Sequence, residues 1–419
     1  MIAWFSPLPP VRSGIAAYSA ELLPQLGAPF VIDTYPEQAA HDFVWRARQR
    51  PYDLVVYQLG NAPCHDYLWA YLARYPGLVV LHDARLHHAR ARQLLQQGRH
   101  DDYRREFSYD HPEVDGAVTQ YAIEGLGGPI YYLWPMLRVV MRTARHVAVH
   151  NARVAAELRD AYPETPISVI RMGVPAPAVD DGARTAIRRS LSLPDGAFVF
   201  AAFGKVTAEK RIAAMLRALA ALAAGGRDVY LLLVGDADGY PALAGDLSAS
   251  GVADRVRVTG WVGEAAVGGY LAAADACLCL RWPTAEETSA SWLRCLAVGR
   301  ATVISDLAHL VDVPATVALR ADLLDEAASL EQAMRQLIDD PAARESIARE
   351  GHRYWSAQHP LDAMVEDYRR LLPLAAAQPA PQPTDLPVHF TNDYSAPTRA
   401  ILEQFGVRVP FKQPATSNQ

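Results

Sequence analysis

The strongest constraint in this sequence is a unit that repeats: a short, almost wholly apolar run, a loop, then a segment with helical spacing. The runs fall at residues 1–5, 30–34, 51–58, 77–81, 146–149 and 167–170, and again at 197–203, 229–234, 256–259, 276–280 and 301–304. Runs that are apolar at successive positions suit strands covered on both faces, as in a parallel sheet. Strands alternating with helices predict an α/β, doubly wound fold. A chain of 419 residues is too long for one core, and Met-Gly-Val-Pro-Ala-Pro177 separates the two sets of runs as a natural linker. The expected domains are 1–172, with a helical insertion over 99–135 where the alternation lapses, and 183–355, joined by 173–182. A helix over 356–374 is a candidate to cross back to the first domain. Residues 375–419 read as a Pro- and Gln-rich tail, loose at 375–387, with weak strand and helix signals over 388–412.

Composition narrows the function classes. A hydrophobic share of 51% with 21% charged residues is that of an ordinary soluble protein, and a net charge of −6 argues against a nucleic-acid partner. The cysteines, Cys64, Cys277, Cys279 and Cys295, form no metal-spaced pair, and Cys277 and Cys279 read as small apolar strand residues. No basic-then-apolar leader and no apolar run of about 18 residues stands out, so a cytoplasmic protein is expected. Among 40 basic residues only three are lysines, Lys205, Lys210 and Lys412. Two of them fall five apart in one loop, where a compact point charge does what a guanidinium does not.

In an open parallel sheet, ligands bind outside the carboxyl ends of the strands. The first such end is Ser-Pro-Leu-Pro-Pro-Val-Arg-Ser-Gly14, nine residues long, which is long for a bare turn. Gly14 opens a helix whose stripe is Ile15, Tyr18, Leu22 and Leu26. It lets backbone approach a ligand, or it only serves the turn. His82 ends the run 77–81, and Lys205 and Lys210 follow the run 197–203. After 276–280, Pro283 and Thr284 break the strand, and Glu286, Glu287, Thr288 and Ser289 are expected at the start of a helix. That helix carries Trp292, Leu293, Leu296 and Ala297 inward and ends at Gly299. A carboxylate at its start caps the helix, or clamps sugar hydroxyls beside a phosphate held by the helix N-terminus. Asp236 and Asp238 read as turn formers. Two such domains put their carboxyl ends across one cleft, where these distant residues converge.

Four stretches then carry a resemblance: Phe-Ser-Pro-Leu-Pro-Pro-Val-Arg-Ser-Gly-Ile-Ala-Ala-Tyr18, Leu-His-Asp83, Phe-Gly-Lys-Val-Thr-Ala-Glu-Lys-Arg211, and Arg-Trp-Pro-Thr-Ala-Glu-Glu-Thr-Ser289 with Val-Ile-Ser-Asp306 behind it. In this order and spacing, over roughly 1–373, the chain resembles the retaining glycosyltransferases of family 4, with the two-Rossmann GT-B architecture. The resemblance implies transfer of a sugar from a nucleoside-diphosphate sugar, UDP- or GDP-linked, to an acceptor hydroxyl with retention of configuration, without cofactor or metal. It implies Gly14, Lys205, Lys210, Glu287, Thr288 and Ser289 as donor-binding, and His82, Lys210 and Glu287 as catalytic. Arg12, Ser13, Tyr18 and His87 are the acceptor-side candidates. The implied partners are a glycan or lipid-linked acceptor in polysaccharide or glycolipid synthesis.

Departures qualify that picture. Eight residues after Glu287, where the family's Glu-x7-Glu motif has the glutamate that holds the ribose, stands Cys295, and counting from Glu286 reaches Arg294. Glu286 stands where the family often has glycine. A sugar-nucleotide epimerase, an inverting transferase or a non-catalytic sugar-nucleotide binder would share the same cleft. Arg85, His87, His88, Arg90 and Arg92 are a candidate patch for peripheral membrane contact, or a solvated helix face.

Overall fold

A computed structural model describes residues 1–27, 29–180, 182–392 and 396–406, with the side chains of 396–399 left aside. Residue Lys412 and the rest of 407–419 lie outside the described residues. The first domain holds β1 (Ile2–Phe5), β2 (Ile32–Tyr35), β3 (Leu54–Leu59), β4 (Leu78–Leu81), β5 (His146–Val149) and β6 (Ile167–Val169). The second holds β7 (Phe198–Phe203), β8 (Val229–Val234), β9 (Val256–Val258), β10 (Ala276–Cys279), β11 (Ala301–Ser305) and β12 (Leu319–Ala321). Their orders are β2-β1-β3-β4-β5-β6 and β12-β11-β10-β7-β8-β9. All pairs are parallel, so two doubly wound sheets stand as the apolar runs predict, with edge strand β12 added where no run was marked. In both sheets the order reverses beside the first strand of the domain, β1 or β7, which is where a crevice opens at the carboxyl edge.

Some predicted elements change form. Between β3 and β4 the chain forms a 3-10 turn, Pro63–Leu68, followed by a single α turn, Trp69–Leu72, in place of a full helix. The insertion is a run of short helices, His100–Asp110, Val118–Ile123 and Ile130–Leu133, packed on the preceding helix His87–Gln96. They share a small core of Ala91, Leu94, Tyr103, Phe107, Ala122 and Met136. The Asp110 carboxylate accepts from the Leu137 and Arg138 N–H groups at 2.9 and 2.5 Å, which fixes the insertion's return to the sheet.

The basic patch dissolves in this packing. Arg90 is buried and forms a two-pronged ion pair with buried Glu106, Arg92 pairs with Asp66 at 2.6 Å, and Arg85 pairs with Glu286 of the second domain at 2.6 Å. His87 is fully buried. The three arginines are thus each paired with a carboxylate rather than free. Among the described residues no helix is long and apolar enough to cross a membrane.

The chain's last long helix, Leu361–Ala377, leaves the second domain and packs in the first. It buries Met364, Val365, Tyr368, Leu371 and Leu372 in one apolar cluster with Trp4, Tyr18 and Leu22 of the first domain and Trp292, Leu293 and Leu296 of the second. The helix begins at Leu361, after an isolated bridge between Val174 and Pro360. Beyond it, in the stretch with weak strand and helix signals, Val388–Thr391 forms a short helix that buries His389 and Phe390. His389 Nε2 meets Glu106 at 2.6 Å, and Phe390 lies 6.4 Å from the Trp69 ring. An apolar ring and a partner for a buried carboxylate anchor this segment despite its prolines.

The crossing helix is pinned by Asp367, which accepts from the Arg171 backbone N–H at 2.9 Å and from its guanidinium at 2.8 Å twice. Burial raises the Asp367 pKa, but the bonds from Arg171 and Arg370 outweigh it and leave the carboxyl below its ordinary value. Its stabilisation is therefore complete above about pH 4 and fades as pH falls through the lower folded value. Asp367→Ala is expected to cost about 2 kcal/mol at pH 7 and much less at pH 2–3, read from urea unfolding midpoints at the two pH values. An equal loss at both would remove the carboxylate from the account.

Candidate active site

Strand β10 ends where Arg281 N donates to Ser305 Oγ at 2.9 Å, and the chain turns into the loop 282–289. The helix behind it is Ala290–Ala297, shorter at its start than the sequence suggests. Ser289 is its N-cap and accepts from Trp292 N at 3.2 Å. Trp292, Leu293, Leu296 and Ala297 face inward as expected, and Gly299 ends the helix at φ +71°. Glu286 and Glu287 thus stand in the loop, and neither caps the helix.

Glu287 is the pin of that loop. Its Oε1 pairs with Arg281 Nε at 2.7 Å, while Oε2 accepts from Thr284 Oγ1 at 2.9 Å and Ala285 N at 3.0 Å. A carboxylate has about four acceptor sites, so one remains open. Glu286 has φ +62°, the left-handed region that suits glycine, and its carboxylate reaches Arg85 across the cleft. The ion pair gives a physical reason for a glutamate at a strained position. Thr288 Oγ1 is buried without a hydrogen-bond partner.

Lys210 and Arg281 share a pocket with Glu287, Ser289 and Ser291. Lys210 Nζ donates to the Phe203 carbonyl at 2.5 Å, and Gly204 at φ +99° leaves room for it: a Cβ there would stand 2.6 Å from Nζ. Burial, then the Arg281 charge, lowers the Lys210 pKa to about 7. Lys205 is not brought to this pocket. It is exposed on the loop, with its stem beside Gly239. Loop geometry splits the pair of lysines, and the second cation beside Lys210 is Arg281. The sequence signal for it was its place, first after a strand's carboxyl end.

The first domain supplies the opposite wall. Ala84 N donates to Ala285 O at 2.8 Å and Asn151 Nδ2 to His309 O at 2.8 Å, so the carboxyl ends meet. His82 Nε2 is 2.7 Å from Gln58 Oε1, and burial, with His150 and His65 nearby, lowers its pKa well below the ordinary value, so the ring is neutral. Asp83 accepts from Asn61 N at 2.7 Å; burial and then Glu287 raise its pKa to about 7. Gly14 is exposed, and a Cβ there would meet nothing within 4 Å, so its backbone is open to a ligand. Arg12 lies over the Trp261 ring of the second domain, 4.8 Å from its centroid. Ser13 caps the helix Gly14–Leu26 through Ala16 N at 3.0 Å.

Two acceptor-side candidates are corrected. Tyr18 is buried, its hydroxyl 2.7 Å from that of Tyr368. His87 is sealed between the Trp134 carbonyl at 2.9 Å and the Tyr103 hydroxyl at 2.8 Å. Both sit on helices beside the cleft, but on the faces turned to the core. Cys295, in place of an expected glutamate, is also fully buried, 3.8 Å from Cys279 Sγ, so the helix presents core and not a carboxylate at that point. Among the described residues no group of His, Cys, Asp and Glu could hold a metal ion.

The depressed Lys210 has a measurable consequence without any ligand. Between pH 7 and 9 the unfolded lysine holds a proton that the folded one has released, so stability rises with pH. The wild type is expected to gain about 1–2 kcal/mol over that interval relative to Lys210→Met, by urea unfolding at both pH values; parallel pH dependences would exclude a buried, depressed lysine.

Comparison with known proteins gives three kinds of likeness. Residues 197–340 match the family described as Glycosyl transferases group 1. Over 232 residues the chain is 29% identical to the lipopolysaccharide core biosynthesis glycosyltransferase LpsD of Rhizobium meliloti, which covers 54% of this chain and 62% of that protein. The chain thus spans less than two thirds of this curated relative. Sucrose-phosphate synthase from Thermosynechococcus elongatus superposes with a TM-score of 0.64 at 16% identity, covering 89% of this chain and 98% of that one. Anabaena HepE, solved in complex with UDP and glucose, does so with a TM-score of 0.62 at 16% identity, covering 89% and 100%. These structural likenesses establish the GT-B fold.

Proposed function

We propose that the protein is a glycosyltransferase that moves a sugar from a nucleoside-diphosphate sugar to a hydroxyl of a glycan or lipid-linked acceptor, with retention of anomeric configuration. The observation that carries this reading is the half-buried Lys210 that shares a pocket with Arg281 at the start of the Ala290–Ala297 helix. Two cations and a helix N-terminus in one pocket suit a diphosphate. The group 1 match over 197–340 supports the same assignment for this half of the chain.

In the proposed reaction the bond between the anomeric carbon and the diphosphate breaks, and negative charge grows on the departing phosphate. Lys210 and Arg281 meet that charge. A dianion beside Lys210 restores its proton, reversing the depression that burial imposes. The acceptor hydroxyl attacks from the face the phosphate leaves and gives its proton to the departing phosphate oxygen, so configuration is kept. Glu287 offers its open acceptor site to a donor-sugar hydroxyl, and neutral His82 faces it from the first domain. Ser289 and Thr288 serve the phosphate through the helix start, and Gly14 lets the Pro-rich loop approach. Arg12, over Trp261 of the second domain, and exposed Lys205 act on the outer part of the donor or acceptor. UDP-sugars are the first donors to try, given the ligand of HepE, and GDP-sugars the second. The reading assumes a cytoplasmic protein that works on free or membrane-borne acceptors in glycan or lipopolysaccharide synthesis.

A thermal-shift series with UDP-, GDP- and ADP-sugars tests the donor. One class is expected to stabilise the protein, by about 2.7 kcal/mol at a hundredfold excess over Kd, and Lys210→Ala to weaken that binding at least tenfold. Undiminished binding by the variant would sink the assignment. Anomeric proton NMR of the product then tests the stereochemistry: an α-linked donor is expected to give an α-linked product, and inversion at that centre would leave an inverting enzyme of the same fold.

A further inference from the structure

A buried line of polar side chains runs from the crossing helix to the cleft. The Tyr18 and Tyr368 hydroxyls are 2.7 Å apart, Gln58 Nε2 donates to the Tyr368 hydroxyl at 3.0 Å, and Gln58 Oε1 lies 2.7 Å from His82 Nε2. Gln58 and Tyr368 are fully buried, so each of these groups depends on the others for a partner. An amide oxygen can only accept, so the His82 ring carries its proton on Nε2. Its other nitrogen, Nδ1, has no hydrogen-bond partner among the described residues and is not sealed from solvent.

We propose that Gln58, seated by Tyr368 of the crossing helix, is the positioning residue that holds His82 in the Nε2–H tautomer and presents Nδ1 to the cleft as a neutral acceptor for a sugar hydroxyl. The proposal rests on the sugar-transfer reading for its ligand class but not for the tautomer itself. It makes the C-terminal helix part of the site. His82 alone is short of partners: Tyr18 meets it edge-on at 4.8 Å and His150 lies 5.0 Å away, both as ring contacts. The neighbouring His65 gives its Nδ1 to the Gln58 carbonyl at 2.9 Å, and His150 gives its Nδ1 to the Ile170 carbonyl at 2.9 Å. Gln58 is therefore the one hydrogen-bonding group among these neighbours that reaches the His82 ring. The titratable groups facing that ring are Tyr18 from the first helix, His65 and His150 from the loops after β3 and β5, and Tyr368 from the crossing helix.

The test uses the full chain labelled with 15N at histidine, with His82 assigned by comparison with His82→Ala. Long-range proton–nitrogen correlation spectra distinguish a protonated Nε2 from a protonated Nδ1. The wild type is expected to show the Nε2–H form. Gln58→Leu is expected to lose it for a mixture and to lower kcat more than tenfold with KM for the donor changed less than threefold. Gln58→Glu keeps an acceptor at that place and is expected to retain the Nε2 proton and raise the His82 pKa by one unit or more. Tyr368→Phe keeps the ring in the core, so a shift of the His82 signal there reports the lost hydroxyl and not misfolding. An unchanged tautomer in Gln58→Leu overturns the proposal, as does a His82 pKa that stays put in Gln58→Glu. If instead the tautomer responds but no nucleotide sugar is bound or turned over, the positioning stands and the transfer reading fails.

Discussion

The structure depends on one piece of chain doing work for both domains. Leu361–Ala377 starts from the second domain and is buried against β1 and the first helix of the first, where the Tyr368 ring lies 5.5 Å from Trp4. Its apolar face joins residues of both domains in one cluster, and Arg171 locks it at Asp367. A cleft between two sheets needs a fixed relation between their carboxyl ends, and burial of a helix that belongs to both halves supplies one. Additional contacts close on it at the mouth: Arg85 with Glu286, Arg294 with Glu21, and Arg12 over Trp261.

Inside that cleft, charge is held in an uneasy state. Lys210 and Asp83 are both brought to a pKa near 7 by burial, one downward and one upward, because neither has a dedicated partner of opposite charge. Glu287, in contrast, is tied to Arg281, Thr284 and Ala285. Groups left short of partners are those a charged or hydroxyl-rich ligand can satisfy; groups already paired shape the loop that receives it. The same distinction separates His82, with one nitrogen open, from His87, with both engaged.

The alternation of apolar runs and helical segments fixed the two doubly wound sheets, since strands apolar on both faces have few other places to go. It also pointed to the edge that holds the candidate site, because Gly14, His82, Lys210 and Glu287 follow strands and the carboxyl ends of parallel strands are where loops gather. Residue type did not single out Ser289 as the cap, since a carboxylate was expected there, and only the family resemblance, which often has glycine at 286, hinted at the left-handed backbone of Glu286. The burial of Trp292, Leu293 and Leu296 was legible by helical spacing.

What the sequence did not decide was which way a side chain turns once its element is placed. Tyr18 and Ile15 share a stripe on paper, yet Tyr18 faces a helix that arrives 350 residues later. Lys205 and Lys210 are neighbours in one loop, yet a left-handed Gly204 and a short 3-10 turn send one to solvent and the other beneath Arg281. The basic run 85–92 looked like a surface until Glu106, Asp66 and Glu286 came from elsewhere to neutralise it. Periodicity and residue type determine local elements because their causes are local. Partners, protonation and access arise from groups far apart in sequence, and only their packing together decides them.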